Sequence, residues 1–192
     1  MEINDTNLEN YIKIYENFLP EKIYNNYTKY VYDLKQFDEG TVVKSDVPNK
    51  EIRNVLLFNC INSEDEKSFT NIHWTNFLTS MLKNKINDYF LNINKESIEI
   101  VTLQILKYNV GGHYKIHTDM CSEFPRTLSF IYLVNENYEG GDLIFFSPIN
   151  KKQIKIERKK NTLIVWPSNF LYPHGVTPVT KGVRYSVVAW AV

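Results

Sequence analysis

Between Ile98 and Val192 the apolar residues fall in short runs with a period of two, the spacing of half-buried strands. The runs cover 98–108, 112–117, 127–134, 142–146, 152–157, 162–166, 173–177 and 183–191. Gly111-Gly112, Gly140-Gly141 and Pro167-Ser168-Asn169 punctuate them. Eight short strands with turn residues between them predict a double-stranded β-helix, or jelly roll, in which two sheets fold into an open barrel. Ahead of this region the pattern is mixed. Residues 11–16 read as a strand, and Pro20 sits where a first helical turn tolerates it. Ile23, Tyr27, Tyr30, Val31 and Leu34 then recur at helical spacing. Residues 36–50, with Gly40 and Pro48, read as a loop or a loose hairpin, and Val55–Asn59 as a strand. The stretch Ser63–Ser68 is polar, and Trp74, Phe77, Leu78, Met81, Leu82, Ile86, Tyr89 and Phe90 mark a second helix. The expected class is α+β. One domain spans 1–192, with a helical and strand support region at 1–97 and a jelly-roll core at 98–192. The helices are expected to brace one sheet from outside.

Composition narrows the partners. Lys plus Arg and Asp plus Glu both number 22, so the net charge is zero and gives no footprint for nucleic acid or an acidic membrane. The densest basic run, Lys151, Lys152, Lys155, Arg158, Lys159 and Lys160, reads as a solvated hairpin tip. No apolar run is long enough to span a bilayer. The opening M-E-I-N-D-T-N-L-E-N is acidic and polar, unlike a secretory leader. Cys60 and Cys121 are far apart and match no metal spacing, so thiols in a reducing cytoplasm are the simple expectation. Cys121 lies two residues after Asp119 and reads as packing.

Within the β region three residues stand out: His117 and Asp119 in H-T-D, and His174 in P-H-G-V. In extended chain, side chains i and i+2 point to the same side. His117 and Asp119 can therefore reach one ion from a single strand end, and a third ligand from a distant strand closes one face of the coordination sphere. Two imidazoles and one carboxylate, with no thiolate, form the ligand set of a non-haem Fe(II) site with open positions. Arg184 follows ten residues after His174, between Val183 and Tyr185 on an apolar strand. A guanidinium there can grip a carboxylate through two parallel hydrogen bonds, which suits an acidic co-substrate such as 2-oxoglutarate. His113 lies four residues before His117, but Gly111-Gly112 and the alternation around it argue for a strand and a non-ligand. An isolated H-x-D also occurs in zinc and phosphoesterase sites.

Taken in order, L-Q-I-L-K-Y-N-V-G-G-H-Y-K-I-H-T-D, R-T-L-S-F-I-Y-L-V-N, E-G-G-D-L-I-F-F, N-T-L-I-V-W-P and Y-P-H-G-V-T-P-V-T-K-G-V-R-Y-S-V-V-A-W form a specific set. Residues 101–192 resemble the catalytic core of the prolyl 4-hydroxylase-like branch of the Fe(II)/2-oxoglutarate dioxygenases. Over residues 1–100 the likeness is loose and rests on I-K-I-Y-E-N-F-L-P-E-K. The resemblance implies Fe(II), 2-oxoglutarate and O2, with ascorbate in support. It implies hydroxylation of an unactivated C–H bond, on a prolyl residue of a peptide or protein. By resemblance Tyr108 helps hold the co-substrate, and Tyr114 and Trp190 lie on the substrate side. Ser129 and Thr127 are further co-substrate candidates on the facing strand. Neither nucleic acid nor a membrane is an expected partner, and the oligomeric state stays open.

Other readings share these residues. A hydroxylase of another amino-acid residue or of a small molecule fits the same core. A Zn-dependent hydrolase can use two His, one Asp and a water, although Arg184 and the missing general-base signature weigh against it. A non-catalytic jelly-roll binding module would not need all four site residues intact. Nucleic-acid demethylases of the same class carry a second Arg six residues after the first, where this chain has Trp190; halogenases replace the acid that Asp119 retains.

Overall fold

The computed structural model describes residues 8–41, 47–61, 68–90, 98–120, 125–148 and 151–192. Cys121 and most of the polar stretch 63–68 lie outside them. After a 3-10 turn at Leu8–Tyr11 come β1 (Lys13–Tyr15), α1 (Glu21–Asp33), β2 (Asp38–Glu39), β3 (Arg53–Asn54), β4 (Leu56–Asn59) and α2 (Phe69–Tyr89). The β region follows with β5 (Ile100–Tyr108), β6 (His113–His117), β7 (Leu128–Leu133), β8 (Glu139–Gly140) and β9 (Leu143–Phe146). It closes with β10 (Gln153–Lys155), β11 (Thr162–Pro167), β12 (His174–Val176), β13 (Val179–Lys181) and β14 (Arg184–Ala191).

Among the described residues these strands form a seven-stranded sheet in the order β1-β11-β7-β14-β5-β4-β2 and a five-stranded sheet in the order β10-β9-β12-β6-β3. A two-stranded ribbon, β13-β8, joins neither. Each of the eight runs expected beyond Ile98 contains a strand, with trimmed ends. The ribbon was not expected, because Glu139-Gly140 and Val179–Lys181 are too short to show a period. Of the loop or loose hairpin expected at 36–50, residues 42–46 lie outside the described residues; within the rest a two-residue strand, β2, pairs Asp38 with Leu57 and Glu39 with Leu56. Pro20 stands just before α1 rather than within its first turn, and its carbonyl accepts the first helical bond from Tyr24 N at 2.9 Å.

The period of two gives the large sheet two different faces. Leu103, Ile105, Phe130, Tyr132, Leu163, Val165, Val187 and Ala189 point outward, into a core shared with Tyr27 and Val31 of α1 and Leu78, Leu82 and Ile86 of α2. Leu106, Tyr108, Ile131, Leu133, Ile164, Trp166 and Val188 point inward and pack with Leu143, Phe145 and Val176 of the small sheet. Each large side chain buried this way contributes about 1.5–3 kcal/mol. Asn161 ties the N-terminal segment to the sheet. It adopts φ 55°; its amide donates to Leu19 O at 2.8 Å and accepts from Leu19 N at 2.9 Å and the Tyr132 hydroxyl at 3.0 Å.

The basic run is paired with acids on neighbouring elements. Lys152 meets Glu9 and Lys155 meets Asp142, both at 2.8 Å. Arg158 reaches Asp142 at 3.5 Å, Lys160 reaches Glu136 at 3.6 Å, and Lys159 pairs with Glu16. Among the described residues no helix is long and apolar enough to cross a membrane.

Gly140 is a position where backbone geometry excludes a side chain. Its φ is +67°, and a Cβ there would stand 2.2 Å from Pro178 O, a backbone atom. Gly140→Ala must displace the β8–β13 ribbon, which lowers stability by about 1–3 kcal/mol or more. Urea denaturation of the two proteins checks this, and equal midpoints would exclude the strain.

Candidate active site

Cross-strand register brings the two histidines together. His117 ends β6 and His174 begins β12, and the two are direct partners in the ladder. Their ring centroids are 4.5 Å apart. His117 Nδ1 lies 2.8 Å from Lys115 O, and His174 Nδ1 lies 3.0 Å from Tyr172 O. A carbonyl only accepts, so each Nδ1 carries the proton and each Nε2 presents a lone pair. Both Nε2 atoms face the Asp119 carboxylate, His117 at 3.7 Å from Oδ1 and His174 at 3.5 Å from Oδ2. The ligand atoms of the three residues all lie within 4.8 Å of one another. His113 is not in this group; its ring nitrogens contact Gly111 O at 3.0 Å and Glu51 O at 3.2 Å.

The large sheet holds the carboxylate from the other side. Ser129 Oγ donates to Asp119 Oδ2 at 2.6 Å. With its proton engaged there, Ser129 Oγ accepts from Ser168 Oγ at 2.7 Å. Trp190 also hydrogen-bonds Asp119. Trp166 and Trp190 both pair with Ser129, one on each neighbouring strand, so a Trp-Ser-Trp row faces the cluster. Ser129 is thereby committed to the carboxylate rather than to a co-substrate. Trp190, expected on the substrate side, lines the pocket and orients Asp119 as well. Arg126, which sequence reasoning passed over, stacks on Trp190 at 3.9 Å and donates to Asp119 O at 3.2 Å.

Burial would raise the Asp119 pKa, but the pull of His174 and His117 and the bonds from Ser129 and Trp190 outweigh it and hold the carboxyl below its ordinary value. Burial, reinforced by the neighbouring His174, pushes His117 down to about 4. Both directions favour the deprotonated states that bind a cation.

A pocket of about 350 Å³ opens over the cluster. Tyr114, Trp190, Trp166 and Arg53 line it beside the ligands, and Leu106, Ile131 and Val188 form an aliphatic wall. Tyr114 stacks on His117 with centroids 3.6 Å apart. Arg184 and Tyr108 are strand partners further along the same inner face, beyond Leu106 and Val188. Both are 1% exposed and neither lines the open pocket. The Arg184 guanidinium sits 4.9 Å over the Tyr108 ring, and Nη1 donates to Ser186 Oγ at 2.7 Å. That bond turns it along β14 toward the metal end. Its Nε and Nη2 are buried with no acceptor. A Cβ at Gly141 would come within 3.1 Å of Arg184 Cδ, so the glycine keeps this chamber open. Thr127 is exposed, one residue before β7, and is not brought to the pocket.

The arrangement fits a divalent metal and an acidic chelator. Three anionic or neutral donors converge at one face, and two unsatisfied guanidinium donors wait beyond an apolar wall. Comparison with known proteins agrees: the model of the 2OG-Fe(II) oxygenase superfamily matches residues 103–192. That match covers just under half of the chain. A PKHD-type hydroxylase of Gloeothece citriformis is 37% identical over 98 residues, covering 48% of this chain and 43% of the relative. A PKHD-type hydroxylase of Aliarcobacter butzleri is 30% identical over 127 residues, covering 60% and 54%. The alignments thus span about half the length of these curated relatives. The fold is prolyl 4-hydroxylase-like. A Trichoplax adhaerens prolyl hydroxylase, solved with a hypoxia inducible factor peptide fragment, superposes with TM-score 0.74 at 22% identity, over 95% of this chain and 83% of that one. A Pseudomonas putida prolyl-4-hydroxylase gives TM-score 0.68 at 18% identity, over 94% and 91%.

A pH dependence follows for the metal-free protein. The folded-state value of His117, about 4, lies below its ordinary 6.5, so between these values the unfolded chain binds the extra proton. Stability is full above about 6.5 and falls as pH drops toward 4. Asp119, also depressed, acts in the same direction only below its ordinary 3.8. Urea denaturation in EDTA across this range should show a steeper loss for the parent than for His117→Gln; identical slopes would refute the assignment.

Proposed function

We propose that the chain is an Fe(II)- and 2-oxoglutarate-dependent dioxygenase that hydroxylates a prolyl residue of a peptide or protein. The observation that carries this reading is the pair of orphaned Arg184 donors behind an open His-Asp-His cluster. An uncompensated buried cation is destabilising by several kcal/mol. Its retention calls for a buried anionic ligand, which a zinc hydrolase would not need. The far carboxylate of 2-oxoglutarate meets that demand.

In this reading His117, Asp119 and His174 hold the metal, and Ser129 and Trp190 keep the Asp119 carboxylate from rotating. Arg184 anchors the co-substrate beside Tyr108, whose burial keeps its phenol neutral. Leu106, Ile131 and Val188 exclude water along the path between. When bound, Fe(II), 2-oxoglutarate and O2 supply the oxidising chemistry, placing one oxygen on the substrate carbon and one in succinate as CO2 leaves. Tyr114 and Trp190 offer aromatic faces on which a proline ring packs without a charged partner.

The names of the relatives and the peptide bound by a structural neighbour support the substrate class. Packing of the N-terminal helices on the large sheet supports a role for residues 1–97. We infer that these residues support a catalytic core at 98–192 within one folding unit, with α1 and α2 bracing the large sheet. Ascorbate is proposed as a supporting reductant and the cytoplasm as the compartment. Nucleic acid is not proposed as a partner, since the basic run is neutralised by its acidic neighbours.

Arg184→Ala should weaken 2-oxoglutarate binding by about 2–5 kcal/mol while leaving metal affinity nearly intact. Titration of the co-substrate into Fe(II)-loaded protein under argon, followed by the visible chelate band, measures it. An unchanged dissociation constant would remove Arg184 from the site.

Incubating a proline-containing peptide library with the protein, Fe(II), 2-oxoglutarate and ascorbate tests the substrate class. Mass spectrometry should find one added oxygen on proline. Succinate production with oxygen only on Lys, Asn or another group would keep the oxygenase and sink the prolyl assignment.

A further inference from the structure

Among the described residues, Arg53 is a cation at the mouth of the pocket with no acid of its own. It lies on β3, the edge strand of the small sheet, directly opposite Tyr114 of β6. Its guanidinium sits 4.9 Å over the Tyr114 ring, which itself stacks on His117. Nη1 donates to Thr41 O at 2.7 Å, which fixes the head, yet Nε is buried with no acceptor. Among the described residues no carboxylate lies within ion-pairing distance of Arg53. The surface lysines differ: Lys50 pairs with Glu39, Lys155 with Asp142 and Lys181 with Glu139.

Arg53 also stands where two cavities meet. One is the metal-side pocket of about 350 Å³. The other, about 450 Å³, is lined by Glu39, Gly40, Pro48, Lys50 and Asn54 with Arg53 as the shared wall. A Cβ at Gly40 would reach within 3.2 Å of Arg53 Nε and 2.7 Å of Val55 Cγ1. Gly40 therefore packs close beside the guanidinium, where a larger residue would crowd it.

We propose that Arg53 reads a carboxylate on the substrate: the side chain of an Asp or Glu in the same peptide as the target proline. The inference rests on the prolyl-hydroxylase reading and deepens it to an acidic peptide. A planar guanidinium whose Nε has no partner among the described residues is suited to bidentate recognition of a carboxylate. The larger cavity lies on the far side of Arg53 from the metal ligands, so a ligand that fills both is longer than one amino acid. At 3.3–3.6 Å per extended residue, the acid falls within about three residues of the proline.

The test compares fluorescein-labelled peptides that carry one proline flanked by Asp or Glu, by the isosteric Asn or Gln, or by Lys. Binding to the full chain loaded with Mn(II) and 2-oxoglutarate is read by anisotropy. The parent should bind acidic peptides about 10- to 100-fold more tightly than their amide counterparts, the range of a charge-assisted hydrogen bond. Arg53→Gln should abolish the difference, and Arg53→Glu should turn the preference toward the Lys peptide. Equal binding of acid and amide by the parent overturns the proposal, and it does so even where a variant fails to fold. Preference that survives in Arg53→Gln overturns it too. Free proline serves as the other source of a carboxylate: Arg53-dependent binding of free proline without acid dependence among peptides also overturns it. Succinate formation with Fe(II) is scored separately. Acid-dependent peptide binding without succinate would uphold the role of Arg53 and sink the hydroxylase reading.

Discussion

The two-faced large sheet is the constraint on which the rest depends. On β5, β7, β11 and β14 alternate residues go to the helices and to the pocket, and the strands keep one register along each ladder apart from a shift between Trp190 and Ala191 where β14 meets β5. A slip of one residue would exchange the faces. Ser129 would enter the helix-side core and Phe130 would face the carboxylate. Arg184 would lose its cross-strand partner Tyr108. The apolar packing against α1 and α2 thus fixes the positions of polar groups that never touch the helices.

Polar satisfaction divides the molecule in the same way. Lys155, Arg158, Lys159 and Lys160 of the β10–β11 region each find a carboxylate, and Asn161 at the junction with α1 satisfies both ends of its amide. Among the described residues, Arg184 Nε and Nη2, Trp166 Nε1 and Arg53 Nε are buried without partners at or behind the pocket, while Tyr27 Oη, Thr28 Oγ1, Gln104 Oε1 and Arg158 Nε are so elsewhere. Buried polar groups without partners are rare in folded proteins because each costs free energy. The carboxylate is the counterpoint: Asp119 is fully engaged by Ser129, Trp190 and two imidazoles, so its geometry is set before any metal arrives.

Local residue patterns carried the architecture a long way. The change of period at Ile98 placed all eight strand regions, and H-x-D with a later His named three residues that the register does bring together. Where reading failed, the signal was absent from local sequence. Strands of two or three residues, such as β2, β3 and β8, have no period to detect. Ser129 read as a co-substrate candidate and Thr127 with it, since both share a side of the strand; only the packing shows that one is sealed against Asp119 and the other exposed. Arg53 and Arg126 lie in polar stretches that resemble any solvated loop.

The sequence by itself determined which segments extend, which coil, and which side of each strand is apolar, because these follow from contacts within a few residues. It also determined the ligand chemistry, since only a few side chains bind a hard cation. Tertiary structure alone decided that His117 pairs with His174, that Trp190 bonds Asp119 as well as lining the pocket, and that Arg53 meets Tyr114 at the mouth. Those outcomes depend on pairing between strands up to 60 or more residues apart. No local pattern encodes such pairings; they are set by how two sheets and two helices bury their apolar faces at once.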